Sequence, residues 1–175
     1  MSPSPAHDAV SVVVSVGTDH HPFARLIEWT DRWAADHPEA PVLVQYGTSP
    51  PPSVARGTAY LGFDELRARF AAAAAIVSHG GPATIMDARA AGRLPIVVPR
   101  DPALGEHVDG HQQRFSRWMA ERNQIRLADD EAAFRRLLDE ALSSPDHGRV
   151  DAKGTAEVAA TVGRFADLVG QLLDP

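Results

Sequence analysis

Ala75-Ile76-Val77-Ser78-His79-Gly80-Gly81-Pro82-Ala83-Thr84-Ile85-Met86-Asp87 is the stretch whose reading decides the fold. Residues 75–78 form a short apolar run that reads as a buried strand. Two glycines follow. Pro82 suits the first turn of a helix that continues to Ala91 and stops at Gly92. Glycine lets a ligand approach the backbone, and a helix N-terminus offers unpaired N–H groups with partial positive charge. Ser78, His79, Gly80, Gly81 and Thr84 are therefore candidates for holding a phosphate or pyrophosphate. A tight strand-to-helix turn with no ligand is the competing reading. The spacing is neither a Walker A loop nor a GxGxxG fingerprint.

Working outward, the same alternation recurs. Residues 10–16 are a β-branched run ending at Gly17-Thr18. His21-Pro22 opens a helix over 23–36, with Phe23, Leu26, Ile27, Trp29 and Trp33 on one face. Strands are expected at 41–46 and 58–61, separated by the Gly47–Pro52 loop, whose proline cluster cannot continue a sheet. Asp64 reads as the cap of a helix over 65–74. Beyond the glycine turn, 94–98 and 124–127 read as strands. Helices are expected at 111–122, at 131–143 behind Asp129 or Asp130, and at 155–173. Strands alternating with helices imply an α/β fold: one Rossmann-like, doubly wound parallel sheet with helices on both faces. Residues 1–9 read as a flexible tail and 10–175 as one domain.

Composition narrows the function classes. The chain has 175 residues, no cysteine and a formal net charge of −6. A cysteine-based metal site, an iron–sulfur cluster and a thiol nucleophile are excluded. Acidic balance argues against a nucleic-acid partner. No apolar run reaches the ~18–20 residues that span a bilayer, and no signal peptide is evident, so a cytoplasmic location is expected.

In such folds ligands sit at the carboxyl ends of the strands. Gly17 and Thr18 offer a second phosphate contact, or an ordinary turn. His20 and His21 read as exposed turn residues, and Gln45 and Tyr46 as packing. Gly105-Glu106-His107-Val108-Asp109-Gly110-His111-Gln112-Gln113 gathers acids, imidazoles and amides in front of a helix, where they can bond sugar hydroxyls. A metal held by His107 and His111 needs both on one helical turn, which Gly110 disfavours, so no metal site is expected. No Ser/His/Asp triad is supported, because Ser78-His79 lacks the G-x-S-x-G context.

The ordered set Val14-Ser15-Val16-Gly17-Thr18, Val44-Gln45-Tyr46-Gly47, Val77-Ser78-His79-Gly80-Gly81, Thr84-Ile85-Met86-Asp87-Ala88, Gly92-Arg93-Leu94-Pro95-Ile96-Val97-Val98-Pro99-Arg100 and Gly105 through Gln112 resembles the C-terminal domain of GT-B glycosyltransferases of the MurG-like, family 28 type. It is most similar to the soluble catalytic subunits of two-component UDP-sugar glycosyltransferases, of dolichol-linked chitobiose and bacterial exopolysaccharide types. The resemblance covers residues 10–141. It implies a metal-independent hexosyltransferase that uses a UDP-sugar as substrate and needs no cofactor. It places Gly17, Thr18, Ser78, His79, Gly80, Gly81 and Thr84 on the diphosphate, and Gly62, Phe63 and Asp87 on the nucleoside. Asp87 stands where the family often has Glu. The donor sugar falls to Glu106, His107, His111 and Gln112. Transfer with inversion needs a general base, which the resemblance puts in a membrane-anchored, acceptor-binding partner; His79 is the candidate within this chain. The chain would then be peripheral at the membrane through that partner. A non-catalytic nucleotide-sugar-binding subunit and an epimerase- or hydrolase-related domain are the alternatives.

Overall fold

The structure is a computed structural model and describes residues 10–144, 146 and 148–150. Six parallel strands make one sheet: β1 (Val12–Ser15), β2 (Val42–Gln45), β3 (Arg56–Thr58), β4 (Ala75–Ser78), β5 (Ile96–Val97) and β6 (Arg126–Leu127). Their order is β3-β2-β1-β4-β5-β6, the Rossmann arrangement. The helices are α1 (Ala24–Asp36), α2 (Phe63–Ala72), α3 (Pro82–Ala90), α4 (His111–Glu121) and α5 (Glu131–Ser143). The expected tail at 1–9 and helix at 155–173 lie outside the described residues.

Side-chain alternation splits the core into two layers. Val12 and Val14 of β1, Ala75 and Val77 of β4, and Ile96 of β5 face one side. There they meet Leu26, Trp29 and Trp33 of α1 and Phe134, Leu137 and Leu138 of α5. Val13 and Ile76 point the other way, onto Phe70 of α2 and Ala88 of α3. Val97 joins Ile85 and Met119, which brings α4 onto that second face. The four inner strands β2, β1, β4 and β5 are buried on both sides, as a covered parallel sheet requires, while the edge strands β3 and β6 carry Arg56 and Arg126 and are partly exposed. Among the described residues, no helix is long and apolar enough to cross a membrane.

The strands expected at 94–98 and 124–127 shorten to Ile96–Val97 and Arg126–Leu127, and two further boundaries move. The third strand lies at Arg56–Thr58 rather than 58–61. The Asp31 carboxylate accepts the backbone N–H groups of Ser53, Val54 and Ala55 at 2.6, 3.0 and 3.0 Å, which anchors the chain just before the strand. Leu61 N–H is taken instead by Gln45 Oε1 at 3.1 Å. Helix α2 starts one residue before the expected cap: Gly62 is its N-cap, and Asp64 sits inside the first turn with no side-chain cap bond. Its charge there still favours the helix dipole. By contrast, Asp130 caps α5, accepting from Ala133 N at 2.7 Å.

The two aspartates therefore differ in worth. Asp130→Ala should cost about 1 kcal/mol by loss of a cap bond. Asp64→Ala should cost only a few tenths, roughly the value of an exposed first-turn charge. Urea unfolding of the two variants checks this, and equal losses would contradict the capping assignment.

Candidate functional site

Strand order reverses between β1 and β4, and the turns after these two strands meet at the carboxyl end of the sheet. Open α/β sheets bind ligands at such a switch point. A cleft of about 380 Å³ lies there. Gly17 and Thr18 of the β1 turn, Gly81 and Thr84 of the β4 turn, Phe63 of α2 and Asp87 of α3 all line it. The sequence placed these six residues in one site from three separate segments, and the fold brings them to one cleft. Gly81 is the N-cap of α3, with no side-chain cap bond. The first-turn N–H groups of Ala83 and Thr84 thus face the cleft with the positive end of the helix dipole behind them, an arrangement that suits an anion.

His79 explains the glycines on either side of it. A Cβ on Gly17 would lie 2.4 Å from its Cε1, and one on Gly81 2.2 Å from its Nε2. Gly17 also sits at φ +78°, a conformation that favours glycine. The imidazole therefore fills the volume two side chains would have taken. It is buried, and its Nδ1 has no hydrogen-bond partner. Burial, then the charge of Arg100, lowers its pKa from 6.5 to about 4, so the ring is neutral at pH 7. Gly80 has a separate packing role: a Cβ there would meet Ser116 Oγ at 2.8 Å and Gln112 Cβ at 2.9 Å, so glycine lets α4 close on the turn.

Several expected contacts are redirected. Ser78 is buried and its hydroxyl donates to His79 O at 3.0 Å. Gly80 is buried under α4, and Gly62 is exposed at the start of α2; none of these three lines the cleft. Glu106 is buried rather than presented to a sugar. Its carboxylate accepts Arg25 Nε at 2.9 Å, Arg25 Nη2 at 2.7 Å and Asp101 N at 2.8 Å. Gln112 is buried too, its Oε1 facing Arg100 N at 3.4 Å. A bidentate arginine and a backbone donor use the acceptor capacity that a sugar would need. His111 is half-exposed and His107 mostly buried at the same end, with ring centroids 4.6 Å apart. A shared helical turn is thus not what brings them together: His107 lies in the loop, and Gly110 precedes α4.

The sequence assigns no site role to three organising residues: Gln45 and Arg100 lie inside the resembling segments, and Arg25 lies outside them. Gln45, read as packing, donates to Ser15 Oγ at 3.3 Å and accepts from Leu61 N, tying the β1 turn to the loop that carries Phe63. Arg100 donates to the carbonyls of Val16, His21 and Glu106 at 2.8, 2.7 and 2.9 Å. Arg25 holds Glu106. The one available cue was a lone charge immediately after the apolar run that ends at Pro99-Arg100.

Comparison with known proteins agrees with this geometry. The sequence profile described as the glycosyltransferase family 28 C-terminal domain matches residues 11–149. No curated protein sequence matches significantly. Among solved structures, the glycotransferase of kitacinnamycin superposes with a TM-score of 0.69 at 18% identity, over 99% of this chain and 46% of that one. MurG of Acinetobacter baumannii superposes with a TM-score of 0.54 at 15% identity, over 81% of this chain and 43% of that one. The chain thus spans less than half the length of either protein, and at these identities the likeness is one of fold.

Two outcomes follow from His79. Gly81 has φ −78°, which alanine tolerates, so the ring alone opposes Gly81→Ala. That change should cost about 1–3 kcal/mol through overpacking, and much less in a His79→Ala background; denaturant unfolding of the four-protein cycle measures the coupling. Equal costs in both backgrounds would contradict the packing. Unfolded His79 gains its proton as pH falls below 6.5, whereas the folded ring stays neutral down to about 4. Stability therefore falls with pH across that window, on the order of 3 kcal/mol in total. Urea midpoints between pH 7 and 4 should show the slope, and His79→Gln should flatten it.

Proposed function

This chain belongs to the glycosyltransferase family 28 C-terminal domain family, and on that footing we propose that it is the donor-binding half of a GT-B glycosyltransferase. Its substrate is a UDP-sugar, and it passes the sugar with inversion to a polyprenyl-linked or other glycan acceptor. The observation that carries this reading is the uncapped N-terminus of α3 opening into a cleft that also holds Phe63 and Asp87. The cleft matches a nucleoside diphosphate in order: an aromatic face for the base, a carboxylate for the ribose hydroxyls, then backbone donors for the phosphates.

In this reading the N–H groups of Ala83 and Thr84, the Thr84 and Thr18 hydroxyls and the Gly17 turn hold the diphosphate. Helix α3 stabilises the charge that develops on the departing UDP, because its dipole is already oriented there. Asp87, three residues after Thr84, shares that helix face and takes the ribose. The sugar then extends toward His107 and His111. His79 is a poor general base: its pKa of about 4 leaves it weakly basic, and it is buried between Gly17 and Gly81. The base therefore comes from the acceptor half. That half is a membrane-anchored partner, and it keeps this chain peripheral on the cytoplasmic face. The chain matches 46% and 43% of the two neighbouring structures, an extent that corresponds to one half of a two-domain enzyme.

Calorimetry against UDP, GDP and dTDP sugars tests the donor. UDP-sugar should bind best, and Asp87→Ala should weaken it at least tenfold while UDP-independent folding is unchanged. Sugar transfer to a polyprenyl-linked acceptor should require the partner. Full turnover by this chain alone would overturn the two-component reading, and turnover in the complex unaffected by Asp87→Ala would favour a non-catalytic subunit.

A further inference from the structure

Asp19-His20-His21 and Asp109-Gly110-His111 form the same small turn on neighbouring loops. In the first, Asp19 Oδ1 accepts His21 N at 2.7 Å and lies 2.6 Å from His21 Nδ1. In the second, Asp109 Oδ1 accepts His111 N at 2.8 Å and lies 2.5 Å from His111 Nδ1. His107 stands between the turns. Its Nε2 is 3.6 Å from Asp19 Oδ2, and its Nδ1 is 4.0 Å from Asp109 Oδ1. Its Nδ1 also accepts Asp109 N–H at 3.4 Å, which leaves the lone pair on Nδ1 and the ring proton on Nε2, toward Asp19.

The geometry points to a binding site for one divalent transition-metal ion, with His107, Asp109 and His111 as its protein ligands. One ligand atom from each of these three residues falls within 4.8 Å of the others. Two ligands on a tetrahedral zinc at about 2.0–2.1 Å are roughly 3.3 Å apart. The Asp109 Oδ1 separations from His111 Nδ1 and His107 Nδ1, 2.5 and 4.0 Å, bracket that spacing, so sub-ångström shifts of the exposed Asp109 and His111 side chains against the mostly buried His107 ring would seat the ion. Imidazole and carboxylate donors select zinc, cobalt or nickel over magnesium. Asp19 acts from behind: a carboxylate on the far nitrogen of a ligating imidazole fixes its tautomer and raises its basicity. Three protein ligands leave one position open to water or an incoming oxygen. Loading requires the His111 Nδ1 proton shared with Asp109 to leave that nitrogen, and the neutral imidazole keeps its one ring proton on Nε2.

The test needs no donor or acceptor and is independent of the proposed transfer reaction. Zinc is titrated by calorimetry into the tag-free, EDTA-stripped chain carrying His7→Ala, with cobalt absorption as the second readout. One equivalent should bind, with intense visible bands from a four-coordinate cobalt centre. His107→Ala and His111→Ala should each weaken zinc at least tenfold, and Asp19→Asn should do so about tenfold. His37→Ala, whose ring stacks on Trp33 at 4.1 Å, should change nothing. Melting curves in EDTA confirm that each variant is folded. Absence of stoichiometric binding by the parent chain, or equal affinity in the folded His107 and His111 variants, overturns the site.

Discussion

Arg100 is the constraint on which the carboxyl end of the sheet depends. Its side chain has no exposed surface, yet it carries a charge. Burying a guanidinium costs several kcal/mol unless its donors are met. Here Nη1 and Nη2 meet three carbonyls, on Val16, His21 and Glu106, Nε is left without a partner, and Cζ lies 4.8 Å from the centroid of the Phe23 ring. Burial favours the neutral form, opposed by the charges of Asp19 and Glu106. The turn after β1, the approach to α1 and the loop before α4 are consequently tied to one side chain. Moving any of them leaves a buried donor unpaired.

The charges around Arg100 follow from it. Glu106 is drawn inside and matched by Arg25, whose guanidinium also donates to Pro99 O at 3.0 Å. Asp19 stays ionised down to about 2. Burial raises its pKa most, but the two His21 hydrogen bonds and the Arg100 and His21 charges together outweigh it. His79, facing the same cation without a carboxylate of its own, goes the other way and is neutral. Burial first and the Arg100 charge second leave the imidazole uncharged, while the His21 hydrogen bonds first and the Arg100 charge after them keep the acid ionised. Beside them α3 offers its N-terminus to the cleft, so the positive potential there comes from backbone rather than from a lysine. The chain has sixteen arginines but one lysine, at position 153.

Much of the fold was legible because the signals are local. Proline, glycine and aspartate mark the starts and stops of α3 and α5, and β-branched runs mark β1 and β2. One boundary failed where a distant side chain decided it, Asp31 before β3, and another where the adjacent Gly62 caps α2 with backbone alone. The site divides the same way. Gly17, Thr18, Gly81 and Thr84 reach the cleft because each follows a strand or opens a helix at the switch point; Phe63 at the start of α2 and Asp87 within α3 were placed by the family resemblance. Glu106 and Gln112 read as sugar ligands by type. Only the partners Arg25, Arg100 and Gly80, up to 81 residues away in sequence, reveal them as scaffold.

Sequence alone determined that this chain alternates strands and helices, that its sheet is parallel and covered on both faces, and that glycine turns end two of its strands; that those strands are neighbours came from the fold. Those are properties of local propensity and of side-chain period, which a linear chain displays. Tertiary structure alone decided what the glycines are for, which acid is free and which histidines meet. Those depend on volumes and electric fields set by residues far apart along the chain. The imidazole of His79 occupies space that belongs to two other residues, and no reading of either turn by itself contains that fact.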